Sequence, residues 1–223
     1  MMNIAKRFIA LPGILATLTL APFASANAEE PSAFIAEVAR DWDRAAFSVK
    51  GESKQSAALQ DIEARLSAEL KGQPEDAPTR AWRGIVLATK ANGLSGIAAL
   101  RKADAARKEL EKAIAQDPDP TGDGYAVAIL GALYDAVPGF PIGFGDKKKA
   151  LRNLKQALGL NPSSMDAGYF LGVYYANRGD IHAAQKALAI AKNAPPRPGR
   201  EIGDAGRLKD IQDLFSELAA KKR

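Results

Sequence analysis

The chain has 223 residues with 31 basic and 26 acidic side chains, one His, no Cys and a formal net charge of +5. Without Cys there is no disulfide framework, no thiolate nucleophile and no lipid-modified cysteine, and His182, standing alone, cannot build a zinc site. Charges this close to balance give no reason to expect a nucleic-acid partner.

Residues 1–28 have the layout of a targeting segment. Lys6 and Arg7 precede an apolar run from Phe8 to Phe23, and Ala24-Ser25-Ala26-Asn27-Ala28 offers overlapping A-x-A cleavage sites. The run is shorter than the roughly 20 residues a membrane span needs, and Pro12-Gly13 interrupts it. The expectation is a signal peptide cleaved near Ala26 or Ala28 and a periplasmic chain, with no membrane span, starting near Asn27 or Glu29.

Ala, Leu, Lys, Glu and Arg dominate the remainder, and no stretch alternates apolar and polar residues over a strand's length, so the expected fold class is all-α. Residues 29–76 predict N-terminal helices in which Ile62, Leu66 and Pro74 keep a helix spacing. Glu69 stands there where a small residue belongs, so the segment reads as a degenerate repeat. Across residues 77–197 a pattern recurs: Ala106-x3-Leu110-x2-Ala113-x4-Pro118, then Ala150-x3-Leu154-x2-Ala157-x4-Pro162, then Ala184-x3-Leu188-x2-Ala191-x4-Pro196. Spacings of 4 and 3 put each Ala-Leu-Ala set on one helix face, where small residues admit a neighbouring helix; the Pro ends the element.

Gly168-x2-Leu171-Gly172-x2-Tyr175 precedes the third copy and Val127-x2-Leu130-Gly131-x2-Tyr134 the second, which predicts a partner helix for each. Ala81-Trp82-Arg83-Gly84-Ile85-Val86-Leu87-Ala88 is the expected first helix of the first repeat, followed by an expanded turn around Asn92-Gly93 and Ser95-Gly96. The step from Pro162 to Pro196 is 34 residues, and that from Pro118 to Pro162 is 44. Part of the excess lies in DPTGDG and the larger part in VPGFPIGFGDKKKA, Val137 to Ala150. Residues 198–223 predict an amphipathic capping helix on Ile202, Leu208, Ile211, Leu214, Phe215 and Leu218, because a helical stack needs polar-faced ends.

The Leu-Gly, Tyr, Ala and Pro positions at a 34-residue period resemble the tetratricopeptide repeat (TPR). The VPGFPIGFGDKKKA insertion, the Asn161-Pro162 to Phe170 stretch and the APPRPGR tail running on to Asp204-Ala205-Gly206-Arg207 are similar to a family of exported bacterial TPR proteins. That family is related in general plan to the periplasmic T component of some tripartite (TRAP) transporters. The resemblance implies a TPR-type α-solenoid of antiparallel helix pairs, with ligands held on the inner face of the first helices. On that face it places Tyr125, Ala128, Ala132 and Asp135 in one repeat, and Asp166, Tyr169, Val173 and Ala176 in the next; each set shares one helix face. Tyr169 and Val173 are equally able to complete the core.

The insertion has two readings. Phe140, Ile142 and Phe144 either form an apolar wall of the groove or tuck against Tyr134 as a packed plug, with packing the first role. Gly143 to Lys148 fails as a phosphate loop, having neither the spacing nor a preceding strand. Asp146 is a good N-cap for a helix starting at Lys147. Lys147, Lys148 and Lys149 oppose that helix's dipole, which makes them either solvated charge or a contact for an anion or acidic partner. Arg178-Gly179-Asp180 is explained by a helix end and a cap, and the pairs Asp41/Asp43 and Asp117/Asp119 by capping and solubility. No catalytic or metal-binding residues and no cofactor are expected. The reading is a non-enzymatic binding module for a protein, peptide or small apolar ligand, with a transporter-associated ligand carrier as the alternative. An enzyme is the third class, for which no nucleophile elbow or supporting sheet is present.

Overall fold

The computed structural model describes residues 31–220, so the signal-peptide expectation lies outside the described residues. Among those residues the order is α1 (Ala33–Phe47), α2 (Glu52–Gly72), α3 (Ala77–Asn92), α4 (Gly96–Gln116), α5 (Tyr125–Ala136), α6 (Lys147–Leu160), α7 (Met165–Ala176), α8 (Ile181–Lys192) and α9 (Glu201–Ala220), with no strand. Side-chain caps start several of them. Asp76 accepts from Thr79 N at 2.8 Å, Asp146 from Lys148 N and Lys149 N at 2.9 and 3.0 Å, and Asp180 from Ala183 N at 2.9 Å.

The recurrent pattern has a direct packing meaning. A Cβ built on Gly84 would lie 2.7 Å from Leu110 Cγ, one on Gly131 2.9 Å from Leu154 Cγ, and one on Gly172 2.7 Å from Leu188 Cγ. In each pair the leucine of the second helix therefore occupies the notch left by the glycine of the first. Leu110, Leu154 and Leu188 are fully buried, and so are the alanines that flank them in the pattern. Burying one such leucine contributes about 1.5–3 kcal/mol, and the interlock fixes the depth of each helix pair.

The pairs α3/α4, α5/α6 and α7/α8, preceded by α1/α2, form an all-α, TPR-type solenoid of antiparallel hairpins. The first repeat corrects one expectation. Its turn is short, ending α3 at Asn92 and starting α4 at Gly96, and the extra length sits in helices of 16 and 21 residues, against 12 and 12 in the third repeat. Gly93 and Gly96 punctuate the chain there without making a long loop, because the helical apolar pattern continues on both sides.

Helix α9 does cap the last pair. Ile211 and Leu218 are buried against Met165, Leu188 and Ala191, with Leu208, Leu214 and Phe215 packed around them, while Ile202 is left exposed. Its other face also packs on α1. A Cβ on Gly203 would fall 2.5 Å from Asp43 Cγ, and one on Gly206 would fall 2.3 Å from Phe47 Cγ. These two glycines let α9 run close against the first helix and close the array on itself.

Candidate functional site

Closure by α9 leaves a cleft of about 620 Å³ on the inner side of the solenoid, within the range of small-ligand sites. Helices α1, α3, α5 and α7 supply its walls, with the start of α2 and Arg207 of α9 at the margins. The floor is aromatic. Trp42 meets Tyr125 and Phe47 edge-on at 5.8 Å each, and Trp82 supports it from behind at 6.1 Å. The Trp42 indole N–H donates to Thr89 Oγ1 at 2.9 Å, which fixes the ring's orientation. Ile129, Leu133, Phe170 and Val173 complete the apolar wall.

Tyr125 is fully buried in this floor, and its hydroxyl has no hydrogen-bond partner among the described residues. Burial pushes its phenol well above the ordinary value, so it stays neutral and can donate or accept. An unpaired buried hydroxyl costs about 1–3 kcal/mol.

Behind one wall lies a cluster of buried charges contributed by the tail. Arg207 Nε and Arg197 Nη1 each donate to Asp166 at 2.8 Å, and Arg197 also grips Asp204. Arg200 forks onto Asp43 with contacts of 2.5 and 2.8 Å. Burial opposes ionisation of Asp166, but Arg207, Arg197 and Arg200 together hold its carboxyl below the usual range. Burial conversely raises the Asp43 carboxyl, and Arg200 offsets that only in part. The Arg207 guanidinium lies 4.5, 5.0 and 5.5 Å from the ring centres of Tyr169, Phe170 and Phe47, so it joins α9 to α7 and α1 at the end of the cleft.

The residues singled out from the sequence separate into three groups. Tyr125, Asp135, Tyr169 and Val173 line the cleft. Asp166 does not: it is 3% exposed, and its oxygens are taken by the arginines behind the wall. Phe140, Ile142 and Phe144 are also absent from the lining, since the insertion stands at the edge of the solenoid. Phe144 packs as a plug would, meeting Tyr134 edge-on at 5.7 Å, whereas Phe140 is 95% and Ile142 69% exposed.

The lysines divide as well. Lys147 donates to the Asp135 carbonyl and lies 3.2 Å from its carboxylate, which also takes Arg178 at 2.6 Å. Lys149 sits 5.1 Å from the Tyr134 ring centre, and Lys148 is exposed. Asp43 corrects a further expectation: at 1% exposure it is a buried ion-pair partner, not a solubilising charge. Trp42, Phe47 and Arg207 were not anticipated as site residues: Trp42 and Phe47 lie on α1, which packs directly on α3, and Arg207 lies on α9, both outside the repeats that carry the pattern.

No protein-family model matches the chain, nor does any curated protein. Among solved structures the chain is similar to one titled "Crystal structure of MamA", at 18% identity and a TM-score of 0.44, over 76% of this chain and 95% of that one. Among the described residues no helix is long and apolar enough to cross a membrane, and no group of three or more His, Cys, Asp or Glu is placed to hold a metal ion.

Proposed function

We propose that the protein is an exported, non-catalytic TPR module that binds a protein or peptide segment by an apolar side chain seated in the α1/α3/α5/α7 cleft. The observation that carries this reading is the cleft itself: about 620 Å³ with a Trp42/Tyr125/Phe47 floor, left unfilled by the side chains of the described residues. Aromatic floors give large contact area at little conformational cost. Of the charged groups lining the cleft, Asp135 and Arg207 are engaged in ion pairs and aromatic contacts, and Glu52 stands at the margin, which suits a scaffold better than proton transfer.

A photo-reactive benzoylphenylalanine at Val173 or Ala132, in the cleft, should yield the same covalent adduct in cells. The group placed at Lys155, on exposed α6 surface, should yield none. Equal labelling from all three positions would contradict the cleft as the binding site. Export is tested separately: the protein should leave cells on osmotic shock with its first residue near Asn27 or Glu29, and retention of Met1 would contradict it.

A further inference from the structure

The edge of the solenoid that carries the α3–α4 and α5–α6 connections has an unusual surface. The α5–α6 insertion is closed by its own backbone, with Gly145 N donating to Pro138 O at 2.9 Å, Ile142 N to Gly139 O at 3.1 Å and Asp146 N to Tyr134 O at 3.0 Å. Val137 and Phe144 anchor it inward, with the Arg107 guanidinium 5.0 Å from the centre of the Phe144 ring. A Cβ on Gly145 would fall 1.8 Å from Val137 O, so the fold of the loop depends on that glycine. A loop built this firmly holds Phe140 and Ile142 out in solvent, at 95% and 69% exposure.

Next to it, the α3–α4 turn exposes Leu94 at 45% and Ile97 at 70%. The two segments adjoin across an apolar hollow of about 350 Å³ lined by Leu94, Leu100, Leu133, Val137 and Pro138. Four of the seven exposed large hydrophobic residues among the described residues thus stand together. The insertion and the helix starts beside it carry Arg101, Lys102, Lys147, Lys148 and Lys149; of these Lys147 is paired with Asp135, and the Asp146 carboxylate is occupied in capping α6.

We propose that this edge docks on an anionic lipid bilayer, with Phe140, Ile142 and Ile97 entering the acyl boundary and the lysines meeting phosphate headgroups. The surplus of cations calls for a negatively charged partner, which disfavours a second copy of this chain presenting the same basic edge. Phe140 and Ile142 project instead of lining a recess, and the hollow lies beside them. A bilayer conforms to both shapes, whereas a folded acidic protein would need a matching socket and ridge. This inference is independent of the cleft and of what the cleft binds.

The test is sedimentation of the chain from Glu29 onward, which keeps every described helix, with vesicles of phosphatidylcholine alone or with about one third phosphatidylglycerol. Partition should be at least about tenfold stronger onto the anionic vesicles and should fall as salt is raised. Phe140→Ser with Ile142→Ser should reduce it by about tenfold or more, and Lys148→Gln with Lys149→Gln by roughly tenfold on anionic vesicles only. Both variants should keep the wild-type circular dichroism, because the altered side chains lie on the surface. Equal partition onto the two vesicle types, or full partition of the Phe140/Ile142 variant, would overturn the proposal. So would a wild type that ignores vesicles but forms a dimer, or holds an acidic protein, through Phe140 and Ile142.

Discussion

Two segments rich in Pro and Gly, Val137 to Ala150 and Ala194 to Arg207, look alike in composition and end in opposite places. The first is tied by backbone hydrogen bonds and turns Phe140, Ile142 and Lys148 outward. The second threads its arginines inward, where Arg197, Arg200 and Arg207 meet Asp166, Asp204 and Asp43. The difference lies in what each segment finds. The tail arrives where two aspartates, one on α1 and one on α7, are already shielded from water and require cations. The insertion finds only Asp135 and its own capping Asp146. A Pro/Gly-rich motif therefore becomes structural or superficial according to the buried charge available to it.

The comparison breaks most visibly at Asp166. Asp166→Ala should cost about 3–5 kcal/mol in urea unfolding, because it removes the buried carboxylate that Arg197 and Arg207 share and leaves them Asp204 and Asp210. Lys147→Ala, which removes a 59%-exposed charge from Asp135, should cost no more than about 1 kcal/mol. Comparable losses at the two sites would show that the tail is no more integral to the fold than the insertion.

The repeat interlock gives the next largest effect. Ala157→Leu or Ala191→Leu should destabilise by about 1–3 kcal/mol through overpacking at fully buried contacts, as thermal midpoints would show. Unchanged midpoints would mean the helix interfaces are elsewhere.

Acid should loosen the tail first. The folded state holds the Asp166 carboxyl below its ordinary 3.8, so its contribution is complete above that value and is lost as pH falls through the depressed folded value. Between about pH 5 and pH 2 the wild type should lose more stability than Asp166→Asn does. Parallel pH profiles would exclude Asp166 as the linked group. The smallest change belongs to the insertion: Lys148→Gln should stabilise by about 0.3 kcal/mol, since it removes an exposed cation from a helix N-terminus. Phe140→Ser with Ile142→Ser should stay within about 0.5 kcal/mol of wild type.

The helix pairs were legible because their signal is local. Gly131 and Gly172 each stand in a Leu-Gly-x2-Tyr pattern, Leu154 and Leu188 each in an Ala-x3-Leu-x2-Ala pattern, and the two patterns interlock although the residues between them differ in number. Asp146 and Asp180 were legible for the same reason, as caps that accept from backbone N–H groups three residues further on. Of the candidate groove residues, Tyr125, Asp135, Tyr169 and Val173 line the cleft. The repeat frame put Asp166 in the groove, because helical phase gives a face but not what stands against it. Trp42, Phe47 and Arg207 escaped notice since the contact that gathers them joins residues far apart in sequence: Asp43 and Arg200 are 157 positions from one another. No periodicity reports such a contact. Gly203 and Gly206, three apart on α9, were its one local trace.

The central claim is that α9 reaches past the last repeat to α1 and so brings Arg207 to the end of the cleft. The chain has no Cys, so a single introduced pair has no competing thiol. A Cβ on Gly203 would lie 2.5 Å from Asp43 Cγ, close enough for a bridge between the two positions. On mild oxidation, Asp43→Cys with Gly203→Cys should form an intramolecular disulfide in nearly all molecules, read as the loss of two hydrogens in the intact mass. A folded double variant that keeps both thiols free would show that α9 does not meet α1, and Arg207 would not stand at the end of the cleft.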